Sequence, residues 1–304
     1  MEIVINEEKI IEYGTTVALG NFDGVHLGHR ELINTAISLA RTSETTPSVL
    51  TFGCDFNEFK LGLTDTLLMS KAQKEVILSE LGIELLYILD FCDEVKKMSP
   101  EEFVKKIILE RLNAEIVIVG FNFRFGHKAK GDAQTLSELS EKYGFKVVII
   151  PPIIKDDNLV SSTLIRRLIS QGDVKNANKM LDRNYNMRGK VISGKGRGKK
   201  LGFATANLKS DIDYVSPKNG VYKTIVSCEG KDYKSITNIG TNPTFSDVGF
   251  SIETHIIDFD KDIYGDYIEV EFLDFVRKER KFNSIEELIE QVNKDIEEVN
   301  QDTK

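Results

Sequence analysis

The stretch Gly20-Asn21-Phe22-Asp23-Gly24-Val25-His26-Leu27-Gly28-His29 carries two of the chain's four histidines, in His-x-Gly-His spacing. An apolar run, Thr15 to Leu19, leads into it, and Glu31 to Leu39 continues with helix-like periodicity. The segment therefore reads as a strand, a glycine-rich turn and the start of a helix. Such a turn lets backbone N–H groups and the positive end of a helix face an anion. Two imidazoles at its mouth add donors that grip a polyphosphate as charge builds on it. The competing reading has the histidines merely capping a helix. The strand before, the helix after and the Gly-Asn-Phe-Asp-Gly lead-in together favour a nucleotide site.

Outward from this turn, residues 15 to 172 alternate short apolar runs with helical stretches. The expected strands are Thr15–Leu19, Ser48–Phe52, Leu85–Leu89, Ile116–Val119 and Lys146–Ile150, and the expected helices Arg30–Arg41, Lys71–Leu81, Pro100–Leu112 and Ala133–Tyr143. The third helix opens on Ser99-Pro100-Glu101-Glu102, a capping box with proline at the first helical position. This alternation implies an α/β domain, a parallel sheet covered by helices on both faces, with ligands at the carboxyl ends of its strands.

After Gly172 the texture changes. A polar connector with Asn176, Asn178, Asn184 and Asn186 precedes short β runs at Lys190–Ser193, Gly220–Cys228, Tyr233–Ile239, Ile252–Ile257 and Ile268–Val276. A last helix is expected from Ser284, with Glu287 completing a second capping box, to about Val299. The second half reads as a small β-barrel with a terminal helix.

Composition bounds the class. The chain has 304 residues, 41% hydrophobic and 29% charged, enough for two soluble domains. No apolar run approaches the ~18–20 residues that cross a bilayer. The opening Met1-Glu2-Ile3-Val4-Ile5 lacks a basic and apolar leader, so no secretory signal is expected. Three dispersed cysteines, Cys54, Cys92 and Cys228, argue against a disulfide framework or a cysteine zinc site and fit a cytoplasmic protein. A formal charge of −8 argues against a nucleic-acid partner.

Two further segments belong with His26 and His29. Gly120-Phe121-Asn122-Phe123-Arg124-Phe125-Gly126-His127 follows a buried strand, and its aromatic and amide groups suit a flat ring as well as phosphates, unless the rings are core. Ser161-Ser162-Thr163-Leu164-Ile165-Arg166-Arg167 places hydroxyls and a guanidinium at a helix start, where all of them donate to oxyanions, unless Ser162 is only a cap. With the His-x-Gly-His turn, which is similar to the nucleotidyltransferase motif, the chain resembles the prokaryotic bifunctional FAD synthetases, riboflavin kinase joined to FMN adenylyltransferase, over nearly its whole length.

The resemblance implies a Rossmann-like FMN adenylyltransferase domain over residues 1–180 and a riboflavin kinase barrel over 181–304. It implies that ATP and FMN give FAD and pyrophosphate in the first. His26 and His29 would meet the ATP phosphates, with Asn21, Asp23 and Gly24 shaping the turn. Asn122 would contact substrate, Ser162, Thr163 and Arg166 would hold the triphosphate, and Mg²⁺ would bridge phosphate oxygens.

The β half carries a second candidate site. Gly194, Gly196 and Gly198 alternate in Gly194-Lys195-Gly196-Arg197-Gly198-Lys199-Lys200-Leu201-Gly202, a loop suited to close approach by phosphate or, alternatively, a simple hairpin. Phe203-Ala204-Thr205-Ala206-Asn207 then resembles the riboflavin kinase signature Gly-Phe-Pro-Thr-Ala-Asn. Thr205 and Asn207, two apart on an extended segment, share a side and offer hard oxygens to Mg²⁺. In Ser251-Ile252-Glu253-Thr254-His255, the resemblance makes Glu253 the base that takes the proton of the riboflavin 5′-hydroxyl. The segments Asn238–Phe245, Asp262–Gly265 and Arg277–Phe282 also resemble the kinase module, as pocket walls or as structure. His127 and His255 read as structural, and no metal cluster of His, Cys and carboxylate emerges.

Three segments depart from the family pattern. Ala204 replaces the signature proline, which fixes φ. Thr51-Phe52-Gly53-Cys54-Asp55-Phe56 stands for Thr-Phe-Asp-Pro-His-Pro, and Leu181-Asp182-Arg183-Asn184-Tyr185 for Leu-Gly-Arg-Pro-Tyr. Two narrower readings accompany the bifunctional one: that only the adenylyltransferase site turns over, or that the chain is a flavin-responsive binding protein. The sequence leaves the oligomeric state open.

Overall fold

Six parallel strands form the first sheet of the computed structural model: Glu2–Ile5 (β1), Thr15–Leu19 (β2), Thr46–Phe52 (β3), Leu85–Leu89 (β4), Ala114–Gly120 (β5) and Lys146–Ile150 (β6), in the order β1-β4-β3-β2-β5-β6. The structure describes residues 1–5, 9–53, 66–90, 92–193, 203–210, 212–240 and 250–301. It divides into two compact units, Met1–Asp65 with Lys71–Ser161, and Thr66–Ser70 with Ser162–Lys304.

Every residue of β2 and β4 is buried, as expected of strands covered on both faces. Helix α1 (Leu27–Ser43) packs across β2, β3 and β5 through Leu32, Ile33, Ala36 and Ala40. The other face buries Val17, Leu19, Leu50, Leu85, Tyr87 and Val117 against Phe103, Val104, Ile107, Ile108 and Leu136. Helices α2 (Lys71–Leu81), α3 (Asp93–Lys97), α4 (Pro100–Phe103) and α5 (Ala133–Tyr143) complete the unit. The capping box at Ser99 forms, with Ser99 Oγ accepting from the Glu102 N–H and the Glu102 carboxylate accepting from the Ser99 N–H.

Two differences from the expected elements stand out here. β1 was not among the expected strands. It is an edge strand in which only Val4 is buried, so it shows almost no apolar pattern. The helix expected over Pro100–Leu112 changes winding: after one α-turn, Val104–Arg111 is π-helical.

The second unit is a closed antiparallel barrel of Tyr185–Ile192 (β7), Thr205–Ser210 (β8), Gly220–Cys228 (β9), Lys231–Gly240 (β10), Ser251–Ile256 (β11) and Tyr267–Arg277 (β12), in the order β7-β8-β11-β10-β9-β12. Its interior holds apolar residues and a chain of buried hydroxyls: Thr224 bonds to Ser235 at 2.7 Å and to Thr237 at 2.8 Å, and Thr237 to Thr254 at 2.9 Å. The two middle hydroxyls, Thr224 and Thr237, have two partners each and can donate one bond while accepting the other, and each end hydroxyl has one partner.

Helices α6 (Ser162–Gln171) and α7 (Val174–Leu181) group with the barrel, α7 lying against β7 and β12. Asn178 of the polar connector fixes this junction: its amide donates to the Phe272 carbonyl at 2.8 Å, and its side-chain oxygen accepts from the Tyr185 N–H at 2.7 Å. Helix α8 (Ile285–Gln301) packs on β10 and buries Val299 with Val221 and Ile236. At its start Ser284 Oγ accepts from the Glu287 N–H, while the Glu287 carboxylate accepts from the N–H of Asn283, one residue earlier than a capping box requires.

Candidate functional site

The first candidate site grows from the carboxyl end of β2. The Gly20 N–H donates to the Leu50 carbonyl, which keeps the turn beside β3. Phe22, Gly24 and Val25 then take φ values of 52°, 85° and 35°. Two of these residues are not glycine, and both are fully buried, so packing holds a backbone that side chains disfavour. Asp23 and His26 are also buried.

His26 is the N-cap of α1: its Nδ1 accepts from the His29 N–H at 3.3 Å, and its carbonyl accepts from the Arg30 N–H. A neutral His26 ring then carries its proton on Nε2, the tautomer that donates to an oxyanion. The two imidazoles stack, 3.7 Å between centroids and 15° between planes. A Cβ on Gly28 would lie 3.1 Å from the His26 ring, so the glycine leaves room for the stack. Histidine capping and a nucleotide site were rival readings of the motif; the geometry contains the capping and stacks the rings at the same helix start.

β5 pairs directly with β2, which brings the turn after Gly120 to the same edge of the sheet. The Phe123 N–H donates to the Gly120 carbonyl, and Phe121 and Asn122 are exposed at this turn. Phe123 and Phe125 instead stack on one another, and Phe125 joins Phe103 in the core. The aromatic loop thus divides into core rings and an outward pair. Ser162, Thr163 and Arg166 all lie on α6, in the second unit, where Arg166 Nε donates to the Thr66 carbonyl at 3.1 Å. His127 Nδ1 bonds to the Lys96 carbonyl at 2.9 Å, a structural contact.

Strand register builds the second site. Glu253 on β11 lies opposite Asn207 on β8 and opposite Asn238 on β10, and Thr205 lies opposite His255. Directly opposed side chains have Cβ atoms about 4.5–5.5 Å apart. Neighbouring Ala206, Thr254 and Thr237 are buried in the barrel, so by alternation Thr205, Asn207, Glu253 and Asn238 share its outer face. Asn238 Nδ2 donates to Glu279 Oε1 at 3.1 Å, which turns the Asn238 side-chain oxygen the other way. His255 Nδ1 bonds to the Ala204 carbonyl at 2.9 Å, and its ring meets Phe203 edge-on. Gly194, Gly196 and Gly198, with Cys54–Phe56 and Asn242–Phe245, lie outside the described residues.

Sequence reading missed Lys74, and it met Thr51 only as the start of a segment that departs from the family pattern. The Lys74 ammonium donates to the Asn21 carbonyl at 2.8 Å, and Thr51 Oγ1 donates to the same oxygen at 3.0 Å. Lys74 belongs to no motif, and only the fold brings it and Thr51 to one carbonyl. Arg277, in a segment expected at the kinase pocket, makes a forked ion pair with the buried Asp295 of α8, at 2.7 to 3.1 Å. Among the described residues, no cluster of His, Cys, Asp and Glu is arranged to hold a metal.

Comparison with known proteins matches two successive segments of the chain. A family model for FAD synthetase matches residues 8–164, and one for riboflavin kinase matches residues 181–303. A bifunctional riboflavin kinase/FMN adenylyltransferase of Listeria monocytogenes is 35% identical over 297 residues, covering 96% of this chain and 93% of that protein. This chain belongs to that bifunctional family. A second member, from Bacillus subtilis, is also 35% identical, over 93% of this chain and 91% of its own. The Escherichia coli K12 member is 29% identical over 95% and 93%. A crystal structure from Streptococcus pneumoniae, described as a macrolide-efflux protein, matches with a TM-score of 0.88 at 32% identity, covering 99% of both chains. Among the described residues, no helix of this family member is long and apolar enough to cross a membrane.

Proposed function

We propose that the chain phosphorylates riboflavin with ATP to give FMN, and then transfers AMP from a second ATP to FMN, giving FAD and pyrophosphate. The observation that carries this reading is the presence in one chain of the stacked His26/His29 turn and of Glu253 opposite Asn207. The two candidate sites call for different chemistry, and each has the groups for one step. The functional division falls at residues 1–180 and 181–304, supported by the two family models.

In the barrel, the 5′-hydroxyl of riboflavin attacks the γ-phosphorus of ATP and ADP leaves. The hydroxyl proton goes to Glu253, because an alcohol is a poor nucleophile at neutral pH and a placed base contributes about 10²–10⁴-fold. Thr205 and Asn207 supply hard oxygens on the same face, a donor set that fits Mg²⁺. Mg²⁺, when bound, would neutralise phosphate charge. Gly194, Gly196 and Gly198 complete the phosphate loop in this reading.

At the sheet edge, an oxygen of the FMN phosphate attacks the α-phosphorus of ATP, and the bond to the leaving pyrophosphate breaks. The phosphate dianion needs no base, so the protein's work is placement and charge stabilisation. His26 and His29 meet the ATP phosphates at the start of α1, Asn21, Asp23 and Gly24 shape the turn, and Asn122 contacts substrate. Ser162, Thr163 and Arg166, on α6, offer hydroxyl and guanidinium donors suited to a triphosphate. The substrates are ATP, riboflavin and FMN, the product FAD, and the compartment the cytoplasm.

Incubating the chain with riboflavin, ATP and Mg²⁺, with products separated by chromatography, tests the reading. FMN should appear first and FAD after it. Riboflavin left untouched while supplied FMN becomes FAD would confine activity to the first site. Flavins bound without turnover would leave a binding protein.

A further inference from the structure

We infer that Lys74, acting with Thr51, is a positioning residue for the phosphate-binding turn of the first site. The inference rests on the adenylyl-transfer reading of that site. Lys74 lies on α2, outside every motif, yet its ammonium reaches the main-chain oxygen of Asn21 at 2.8 Å and Thr51 Oγ1 at 3.4 Å. Thr51 Oγ1 donates to the same oxygen at 3.0 Å. One carbonyl therefore takes two donors, one of them charged, a stronger arrangement than a neutral bond.

The position of that carbonyl gives the arrangement its meaning. It belongs to the peptide joining Asn21 to Phe22, immediately before the left-handed run of Phe22, Gly24 and Val25. Non-glycine residues held there are strained and persist only when their surroundings over-determine them. If the Asn21 peptide rotated, the two donors would lose their acceptor and the run would be free to relax. His26 follows one residue after Val25, so its cap and the His26/His29 stack inherit whatever geometry the turn adopts. Lys74 thus holds the backbone from which the imidazoles are aimed, and its charge adds to the positive field that a polyphosphate meets there.

The test compares Lys74→Met, Lys74→Arg and Thr51→Val in the full chain. Four quantities are read: kcat and KM for ATP in FMN adenylylation, riboflavin phosphorylation, the dissociation constant of inorganic pyrophosphate by calorimetry, and the urea unfolding midpoint. Lys74→Met should lower kcat/KM for adenylylation on the order of 10²-fold, as misplacement of reacting groups does. It should also weaken pyrophosphate and leave riboflavin phosphorylation unchanged. Lys74→Arg, which keeps a charged donor, should recover most of the activity. The Lys74→Met and Thr51→Val losses should be less than additive, since both act on one oxygen. Wild-type adenylylation and pyrophosphate binding in Lys74→Met would overturn the inference. So would losses in both Lys74 variants that only track a lowered unfolding midpoint, without rescue by arginine. If the unaltered chain does not adenylylate FMN, the proposed function of the site fails, and the pyrophosphate comparison still decides the role of Lys74.

Discussion

Asn207 and Glu253 sit directly across from one another on adjacent strands of the barrel, on its outer face. The register sets an amide side chain opposite a carboxylate, the two groups that the proposed riboflavin phosphorylation uses. The proposed function draws on this pair for riboflavin phosphorylation and on the His26/His29 turn for adenylyl transfer.

If Glu253 is the base, Glu253→Gln keeps the shape of the side chain and removes the proton acceptor. Riboflavin phosphorylation should fall by about 10²–10⁴-fold, while conversion of supplied FMN to FAD is spared. Phosphorylation at the normal rate would assign the proton to another group.

His29→Ala removes one imidazole of the stack at the start of α1. FAD formation should drop by about 10²–10³-fold, as loss of a donor to developing charge does, while FMN accumulates. Undiminished FAD output would take His29 out of the mechanism.

The forked pair between Arg277 and Asp295 ties α8 to the barrel, with the Asp295 side chain only 3% exposed. Asp295→Ala leaves a guanidinium partly buried without its carboxylate, a loss worth about 3–5 kcal/mol. Riboflavin kinase activity should disappear at lower urea than in the unaltered chain, and FMN adenylylation should not. An unmoved urea profile would show that α8 is held by its apolar contacts alone.

Burial raises the pKa of Glu269 above its ordinary 4.5, helped by the neighbouring Glu271 and opposed by Arg188. The folded chain therefore holds this proton to higher pH than the unfolded chain. Stability contributed by Glu269 should fall as pH rises from 4.5 through the folded value, and stay lower above it. Glu269→Gln keeps an acceptor for the Asn186 amide and removes the titration. Its urea midpoint should lie above that of the unaltered chain at neutral pH and converge with it in acid. Parallel pH profiles would contradict this.

Much of this fold was legible because its signals are local. Thr15–Leu19, Leu85–Leu89, Lys146–Ile150 and Gly220–Cys228 form strands with the bounds read from apolar patterning, and Lys71–Leu81 and Ala133–Tyr143 form the expected helices. β1 escaped because its pairing to β4 leaves most of it exposed; of β8 only Thr205 to Asn207 was read as extended, because its polar residues alternate with only two buried ones. The His26/His29 turn was readable for the same local reason. The bonds of Lys74 and Thr51 to Asn21 and of Asn238 to Glu279 were not, since each joins elements distant in sequence. The roles of Phe121 and Phe125 could be separated only once one was seen in solvent and the other in the core.

The central claim is that two independent places on this chain carry out successive steps. It is tested most directly by mixing the Glu253→Gln and His29→Ala chains with riboflavin, ATP and Mg²⁺ and measuring FAD. Neither variant alone should make FAD from riboflavin at an appreciable rate, and the mixture should, because FMN released by one chain is adenylylated by the other. A mixture that makes no more FAD than its components would contradict the account.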